Sequence, residues 1–215
     1  MKYFYKKFIS DFYIITLFLC LTLSSCKSTL DVNGNFPTPV INKMPLSIGL
    51  VFMPDFSNYK YLEAGKDRDE WEISLGNAQV KLFNVVLDAM FSEVIQAQNI
   101  NLQTRSPVDL FLQPELDSFQ YNMPYETKGK MFEVWLKYNI KIFDNQQTLI
   151  ADWVLTAYGK TPTAFLQSKE EALNQAMIIA LRDLGASLSL RFNRVPEVNQ
   201  WLQMKKHSLQ AKLDD

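Results

Sequence analysis

The chain has 215 residues, 47% hydrophobic and 21% charged, enough for one ordinary domain with a real core and short for two. Twenty-two Lys and Arg against 23 Asp and Glu leave a net charge of -1, which excludes the overall basic footprint that nucleic-acid binding needs. A single histidine, His207, and two cysteines, Cys20 and Cys26, leave little material for metal sites, histidine-dependent triads or a disulfide scaffold.

The first 26 residues have the layout of a secretory signal. Lys2, Lys6 and Lys7 form a positive n-region, Phe12 to Leu23 is an apolar run, and the small residues Ser24 and Ser25 follow. A membrane span needs about 20 apolar residues, and Asp11 stops this run from being extended backwards, so an uncleaved anchor is the lesser reading.

Leu23-Ser24-Ser25-Cys26 resembles the lipobox of bacterial lipoproteins, where cleavage before the cysteine is coupled to acylation of its sulfur. The alternative, a chance cysteine near an ordinary cleavage site, would leave an odd free thiol in an exported protein. The resemblance implies that Cys20 leaves with the signal and that Cys26 is the lipid-attachment site. Stable anchoring takes at least two acyl chains, so the implied modification holds the chain at a bilayer without spanning it. An aspartate after the cysteine favours inner-membrane retention in such lipoproteins. Lys27 stands here instead, and the resemblance therefore implies the periplasmic leaflet of the outer membrane. Cleavage removes three lysines and one aspartate and leaves the mature chain at -3.

From Lys27 to Pro45 the sequence carries Gly34, Pro37, Pro39 and Pro45 among Asn, Ser and Thr, without a sustained hydrophobic period. Residues 26–45 thus read as the lipidated cysteine plus an extended tether, which could reach about 60 Å. A single domain is expected over 46–204. It opens with a strand from Leu46 to Met53, where Leu46, Ile48, Leu50 and Phe52 alternate and Pro54 ends the element. Lys66-Asp67-Arg68-Asp69-Glu70 reads as a solvated loop, and Trp71 to Leu75 as a short strand.

A helix is expected from about Ala78 to Gln98, with Val80, Phe83, Val86, Leu87, Met90, Phe91, Val94 and Ile95 on one core-facing stripe and Asn99-Ile100-Asn101 ending it. Val108 to Leu112 and Leu116 to Asn122 flank Pro114, which marks an edge strand or a bulged pair.

The next alternation is unbroken: Phe132, Val134, Leu136, Tyr138, Ile140 and Ile142, then Asp144-Asn145-Gln146-Gln147, then Leu149, Ala151, Trp153, Leu155 and Ala157. A hairpin centred on Asn145-Gln146 pairs Ile142 with Leu149, Tyr138 with Trp153 and Leu136 with Leu155. Its other face sets Trp135, Lys137, Asn139 and Lys141 against Thr156, Val154, Asp152 and Ile150, which suits a sheet covered by helices on one side. Trp135, Ile150, Val154 and Tyr158 are larger and more apolar than a solvated face needs, and they form the candidate partner surface; scattered exposed apolar residues are the plainer explanation.

Ser168-Lys169-Glu170-Glu171 is a capping-box signature that starts a long helix with Ala172, Leu173, Ala176, Met177, Ala180, Leu181, Leu184 and Leu188 inward, and Arg182 and Asp183 outside that stripe. Pro196 begins a short helix whose Val198, Trp201 and Leu202 dock back, and 205–215 reads as a polar, frayed tail carrying His207.

The expected fold is therefore α+β: a mostly antiparallel sheet of four to six strands, two main helices on one face in strand-helix-strands-helix order, and a short C-terminal helix. Leu46-Ser47-Ile48-Gly49-Leu50-Val51, the helix from Gly76 to Val94 with Phe91 near its end, the Trp135/Trp153 hairpin, and Glu170-Glu171-Ala172 leading to Ala180-Leu181-Arg182-Asp183-Leu184 carry a second likeness. With the lipobox, they resemble the YajG-like lipoproteins, the auxiliary lipoproteins of ABC-type transport systems and the lipopolysaccharide-assembly lipoprotein. That resemblance implies an accessory part of an envelope machine.

No Gly-rich phosphate loop, G-x-S-x-G elbow or metal-ligand cluster is present, so no cofactor or metal is expected. Asp152 with Glu133 is a generic carboxylate pair of the kind a cell-wall hydrolase would need. The expectation is a non-enzymatic adaptor anchored by acyl chains on Cys26 that contacts an envelope protein. The alternatives are a binding module for a lipid or other hydrophobic ligand, which requires a cavity between helices and sheet, and a cell-wall hydrolase. Large inward residues such as Phe83, Phe91, Tyr138 and Trp153 favour a filled core.

Overall fold

A computed structural model describes residues 28–64, 70–97, 108–162 and 168–214, with the side chains of the last helix described to residue 208. The elements in chain order are β1 (Ser28–Asp31), β2 (Met44–Val51), α1 (Pro54–Ser57), β3 (Lys60–Glu63), β4 (Trp71–Ser74), α2 (Gly76–Met90), β5 (Phe91–Ala97), β6 (Leu110–Asn122), β7 (Met131–Asp144), β8 (Leu149–Pro162), α3 (Lys169–Arg191), a 3-10 turn (Phe192–Arg194) and α4 (Pro196–Asp214).

The fold is α+β. Five strands form the main sheet in the order β5-β2-β6-β7-β8, and a separate three-stranded sheet has the order β1-β4-β3. Strand β2 is parallel to both neighbours, β6-β7-β8 is antiparallel, and helices α2 and α3 share a core with the main sheet. That core contains Ile48, Leu87, Phe91, Ile140, Tyr138, Leu181 and Phe192, all essentially inaccessible. Within it the rings of Phe56, Phe83 and Tyr138 lie 5.6–6.2 Å apart in edge-on and tilted contacts, so aromatic side chains fill the layer between α2 and the sheet. Buried Gln79 ties the layer together: its amide donates to the Phe56 carbonyl and its oxygen accepts the Tyr138 hydroxyl at 2.9 Å. Burial pushes the Tyr138 hydroxyl far above its ordinary value, so it serves as a neutral donor.

Four features depart from the sequence reading. The stretch expected as a tether is largely packed. β1 pairs in parallel with β4, Leu30, Val32 and Phe36 are buried, and the chain then crosses the helix layer. There Asn33 and Asn174 exchange two hydrogen bonds, and the Arg182 guanidinium donates twice to the Asn35 carbonyl. Gly34 lies so close to Ile178 that a Cβ would stand 2.5 Å from its Cδ1.

The expected helix to Gln98 instead stops at Met90, and Phe91 takes extended angles and leads straight into β5. Phe91, Val94 and Ile95 suit a helical stripe and a buried strand alike, and parallel pairing with β2 decides for the strand. The expected end at Asn99–Asn101 lies outside the described residues, as does the charged loop at Lys66–Asp69.

The hairpin keeps its expected faces but is shifted by two residues. Ile142 pairs with Ala151, Tyr138 with Leu155 and Leu136 with Ala157. Asp144 causes the shift: its carboxylate accepts the amides of Gln146 and Thr148, its own amide donates to the Thr148 carbonyl, and Gln147 adopts a positive φ of 69°. The connection is thereby four residues long instead of two. An even shift leaves each apolar set on its own face, so burial does not oppose it.

Finally, the chain beyond Lys205 continues as helix α4 and is not a frayed tail. Pro114, by contrast, sits as its chemistry demands. β2 pairs only with Leu110–Leu112, so from Gln113 onward β6 has β7 on one side, with a bulge between Leu116 and Ser118.

Helix α3 meets β8 at backbone distance. A Cβ on Gly159 would lie 2.0 Å from the Ala176 carbonyl oxygen and 2.5 Å from the Ala180 nitrogen. Gly159→Ala is therefore expected to lower the unfolding free energy by about 1–3 kcal/mol in urea titration. Gly129→Ala, whose Cβ would meet only the Met131 side chain at 3.7 Å, is expected to cost nothing, and equal losses in the two variants would refute this packing.

Candidate functional site

The main sheet turns one face to α2 and α3 and the other outward. On the outer face the two-residue shift has a direct effect, because it sets Tyr158 opposite Trp135, where the expected register had Thr156. The two rings lie 5.3 Å apart at 41°, and each residue is a little over one-third exposed. The Tyr158 hydroxyl donates to Glu133 at 2.9 Å. Partial burial, the bond to Glu133 and its negative charge all hold the phenol above its usual value, so the rung presents a neutral hydroxyl.

Val154 shares this face and is half exposed, but it pairs with Asn139, four rungs further along, with Lys137 and Thr156 between. Ile150 does not join the patch: it is half-buried and packs against the main core. Trp135, Tyr158 and Val154 are thus one aromatic rung and one outlying aliphatic side chain. Cys26 and Lys27 lie outside the described residues.

One charged pair lies next to the rung and a second lies beyond Val154. Lys137 meets Asp117 at 2.6 Å and Lys141 meets Glu115 at 2.7 Å. Glu133 stands opposite Lys160 and Asp152 opposite Lys141, eight rungs apart, which is about 26 Å along the strand. Two carboxylates that work as a hydrolytic pair stand within about 10 Å of each other, so Glu133 and Asp152 cannot form one. Among the described residues no group of His, Cys, Asp and Glu has a metal-binding arrangement, and no helix is long and apolar enough to cross a membrane.

Strand β8 is an edge of the main sheet, and helix α3 guards it: the Asp183 carboxylate accepts the Tyr158 backbone amide at 3.1 Å. Asp183 and Arg182 lie outside the buried stripe as expected, yet one caps an edge and the other fastens the N-terminal arm. Hydrophobic pattern alone does not reveal such roles; the alternation of Leu30 and Val32 was the one available sign that the arm packs.

At the far end of the sheet Asp109 joins three elements. Its carboxylate accepts the Ser47 amide and hydroxyl at 3.0 and 3.1 Å and meets Lys205 of α4 at 2.8 Å. Partial burial raises the Asp109 carboxyl, but the bonds from Lys205 and Ser47 and the Lys205 charge outweigh it and hold it below its ordinary value. Lys205 also stands 5.8 Å above the Trp201 ring, which fixes the residue where a frayed tail was expected to begin.

Among the described residues, open volume is found in surface grooves of three kinds of lining. One of about 390 Å³ runs between α1 and the Pro114 edge, lined by Met53, Phe56, Tyr59, Pro114 and Leu116 with Asp55 and Glu115 among its polar groups. A second, about 510 Å³, lies between Asp152–Leu155 and Arg191–Glu197. A third, about 270 Å³, lies under Pro37–Ile41 between α2 and α3.

No protein-family model matches the sequence, and no curated protein is similar to it. The structure is, however, similar to solved ones. A Xanthomonas campestris protein of the family DUF330 superposes with a TM-score of 0.51 at 11% identity, covering 83% of this chain and 99% of the other. A minor lipoprotein of Acinetobacter baumannii gives 0.44 at 14% identity over 70% and 92%, and protein CT253 of Chlamydia trachomatis gives 0.42 at 8% over 69% and 95%. The likeness to the DUF330 structure is one of architecture.

The depressed Asp109 carboxyl contributes stability that is complete above the unfolded value near pH 4 and is lost as pH falls through the lower folded value. The difference in unfolding free energy between wild type and Asp109→Asn is therefore expected to be constant above about pH 5 and to shrink below about pH 4, as read from chemical denaturation across pH. A difference independent of pH over that range would remove the ion pair from the account.

Proposed function

We propose that the protein is a lipid-anchored accessory of an envelope assembly or transport machine, held by acyl chains on Cys26 and facing the periplasm from the outer membrane. It acts by contact and catalyses nothing. The observation that carries this reading is the Trp135–Tyr158 rung, an aromatic pair on the sheet face opposite the helix layer. Aromatic side chains on a sheet face are the residue types that anchor protein interfaces, and the neighbouring ion pair of Lys137 with Asp117 suits a polar rim. The acylation motif supports the anchored half of the reading, and Lys27 after the cysteine supports the outer membrane.

The second reading, a module for a hydrophobic ligand, is favoured by the apolar groove beside Pro114. It is the weaker of the two, because that groove lies at the sheet edge while the layer between α2 and the sheet is filled by Phe56, Phe83 and Tyr138.

Cys26→Ala is expected to abolish acyl labelling and move the chain from the membrane to the soluble fraction; persistence of both would overturn the anchored reading. Crosslinked co-purification from membranes is expected to enrich an envelope protein with the wild type and to lose it by about tenfold or more with Trp135→Ala. An identical partner set for the two proteins would overturn the docking role of the rung.

A further inference from the structure

We propose that the end of the domain formed by the Met123–Lys130 connection and Lys160 lies against the bilayer, with Tyr125 at the lipid interface and Lys128, Lys130 and Lys160 on anionic phospholipid headgroups. The inference rests on acylation of Cys26 and adds to it an orientation and a contact surface.

The first argument is length. Cys26 precedes β1 by two residues, which span about 7 Å at most. After β1 the chain has no slack, because Asn33, Gly34 and Asn35 are fixed on Asn174, Ile178 and Arg182. The arm therefore runs along α3 in the direction of that helix, and Ser28 lies toward the α3 N-terminus. Strand β8 runs the opposite way along α3, with Gly159 against Ala176 and Ala180, and Asp152–Leu155 near Arg191–Glu197. Pro162 thus shares the anchored end, Met131 pairs with Pro162, and Asn122 pairs with Glu133 on the neighbouring strand. The β6–β7 connection is consequently at the same end as the acyl anchor. The Asp144–Thr148 loop is at the other, about 45 Å away along the 14-residue β7. Arg191 and Arg194 belong to that distal end and cannot serve.

The second argument is the chemistry of the anchored end. Tyr125 is 63% exposed, and Lys128, Lys130 and Lys160 are exposed with no ion pair among the described residues. Of the carboxylates beside the connection, Glu126 accepts the Met123 amide and Glu133 the Tyr158 hydroxyl, while Glu170 and Glu171 stand in the first turn of α3 at the same end. The connection is a built turn. Thr127 Oγ1 accepts the Met131 amide at 2.9 Å, and Lys130 is held at a positive φ of 50°. An aromatic ring beside several lysines is the combination that partitions to a headgroup layer, the ring at the interface and the ammonium groups on phosphate.

The test uses the acylated full chain, taken from its membranes and placed in vesicles of phosphatidylethanolamine and phosphatidylglycerol containing a nitroxide-headgroup lipid. Cleavage and acylation leave the mature chain without a free thiol, so Gly129→Cys and Gln146→Cys each give one labelling position, at the two ends of the sheet. The label at 129 is expected to be quenched severalfold more than the label at 146. Adding Lys128→Gln, Lys130→Gln and Lys160→Gln is expected to cut the quenching at 129 by about fivefold or more while the protein still floats with the vesicles. Equal quenching at the two positions, stronger quenching at 146, or no response to the lysine changes in a floating protein would overturn the contact surface and leave the anchor standing. Failure to float would overturn both.

Discussion

Strand β8 and helix α3 touch backbone to backbone at Gly159, and most of the architecture follows from that approach. Any side chain at 159 would push the helix outward. Ala176 and Ala180 complete the fit from the helix side, since larger residues there would do the same. With α3 seated so low, Asp183 comes within reach of the Tyr158 amide, and the edge of the sheet is guarded by the helix that also covers its inner face. The outer side of α3 becomes a floor for a third layer. Ile178, Asn174 and Arg182 project from it, and the N-terminal arm is pinned there. Sheet, helix and arm are thus stacked in an order set by one glycine and two alanines, and the direction in which the arm leaves β1 follows from the last layer.

Legibility in the sequence tracks whether a segment's neighbours are local. The β7 and β8 alternation, the capping residue Ser168 and the α3 stripe are visible because each is a short-range pattern, and the structure keeps all three: Ser168 Oγ accepts the Glu171 amide at 3.1 Å. The arm reads as a tether because Gly34, Pro37 and Pro39 give it the composition of one, while the surface that binds it comes from residues about 140 positions later. The switch from α2 to β5 at Phe91 is hidden for the same reason. Its apolar spacing fits both structures, and only the distant partner β2 separates them.

The candidate surface was legible in part. Parity placed Trp135, Val154 and Tyr158 on one face. The contact between Trp135 and Tyr158 depended on a turn whose length is fixed by the Asp144 carboxylate, a side-chain effect that no alternation pattern records. Asp144 binds two amides beyond it in the chain, the loop grows by two residues, and an aromatic pair forms about 30 Å away along the ribbon. Ile150 fails to join because it sits next to the irregular rung at Ile142 and Phe143, where the ribbon bends and its side chain finds the main core.

The packed arm bears on the docking role and membrane anchor proposed above. A long flexible tether would let the sheet sample every orientation, and a partner would lose the entropy of fixing it on binding. Here the arm is spent on α3, so that cost is met once, during folding. The rung at Trp135 and Tyr158 stands close to the Met131–Pro162 end of β7 and β8, while Val154 and the Asp109–Lys205 clamp stand progressively further from it. On the anchored reading proposed above, a partner of the aromatic rung approaches near the bilayer. Between that rung and Val154 stands the ion pair of Lys137 with Asp117, and beyond Val154 that of Lys141 with Glu115, so the outer face alternates apolar and charged steps along its length.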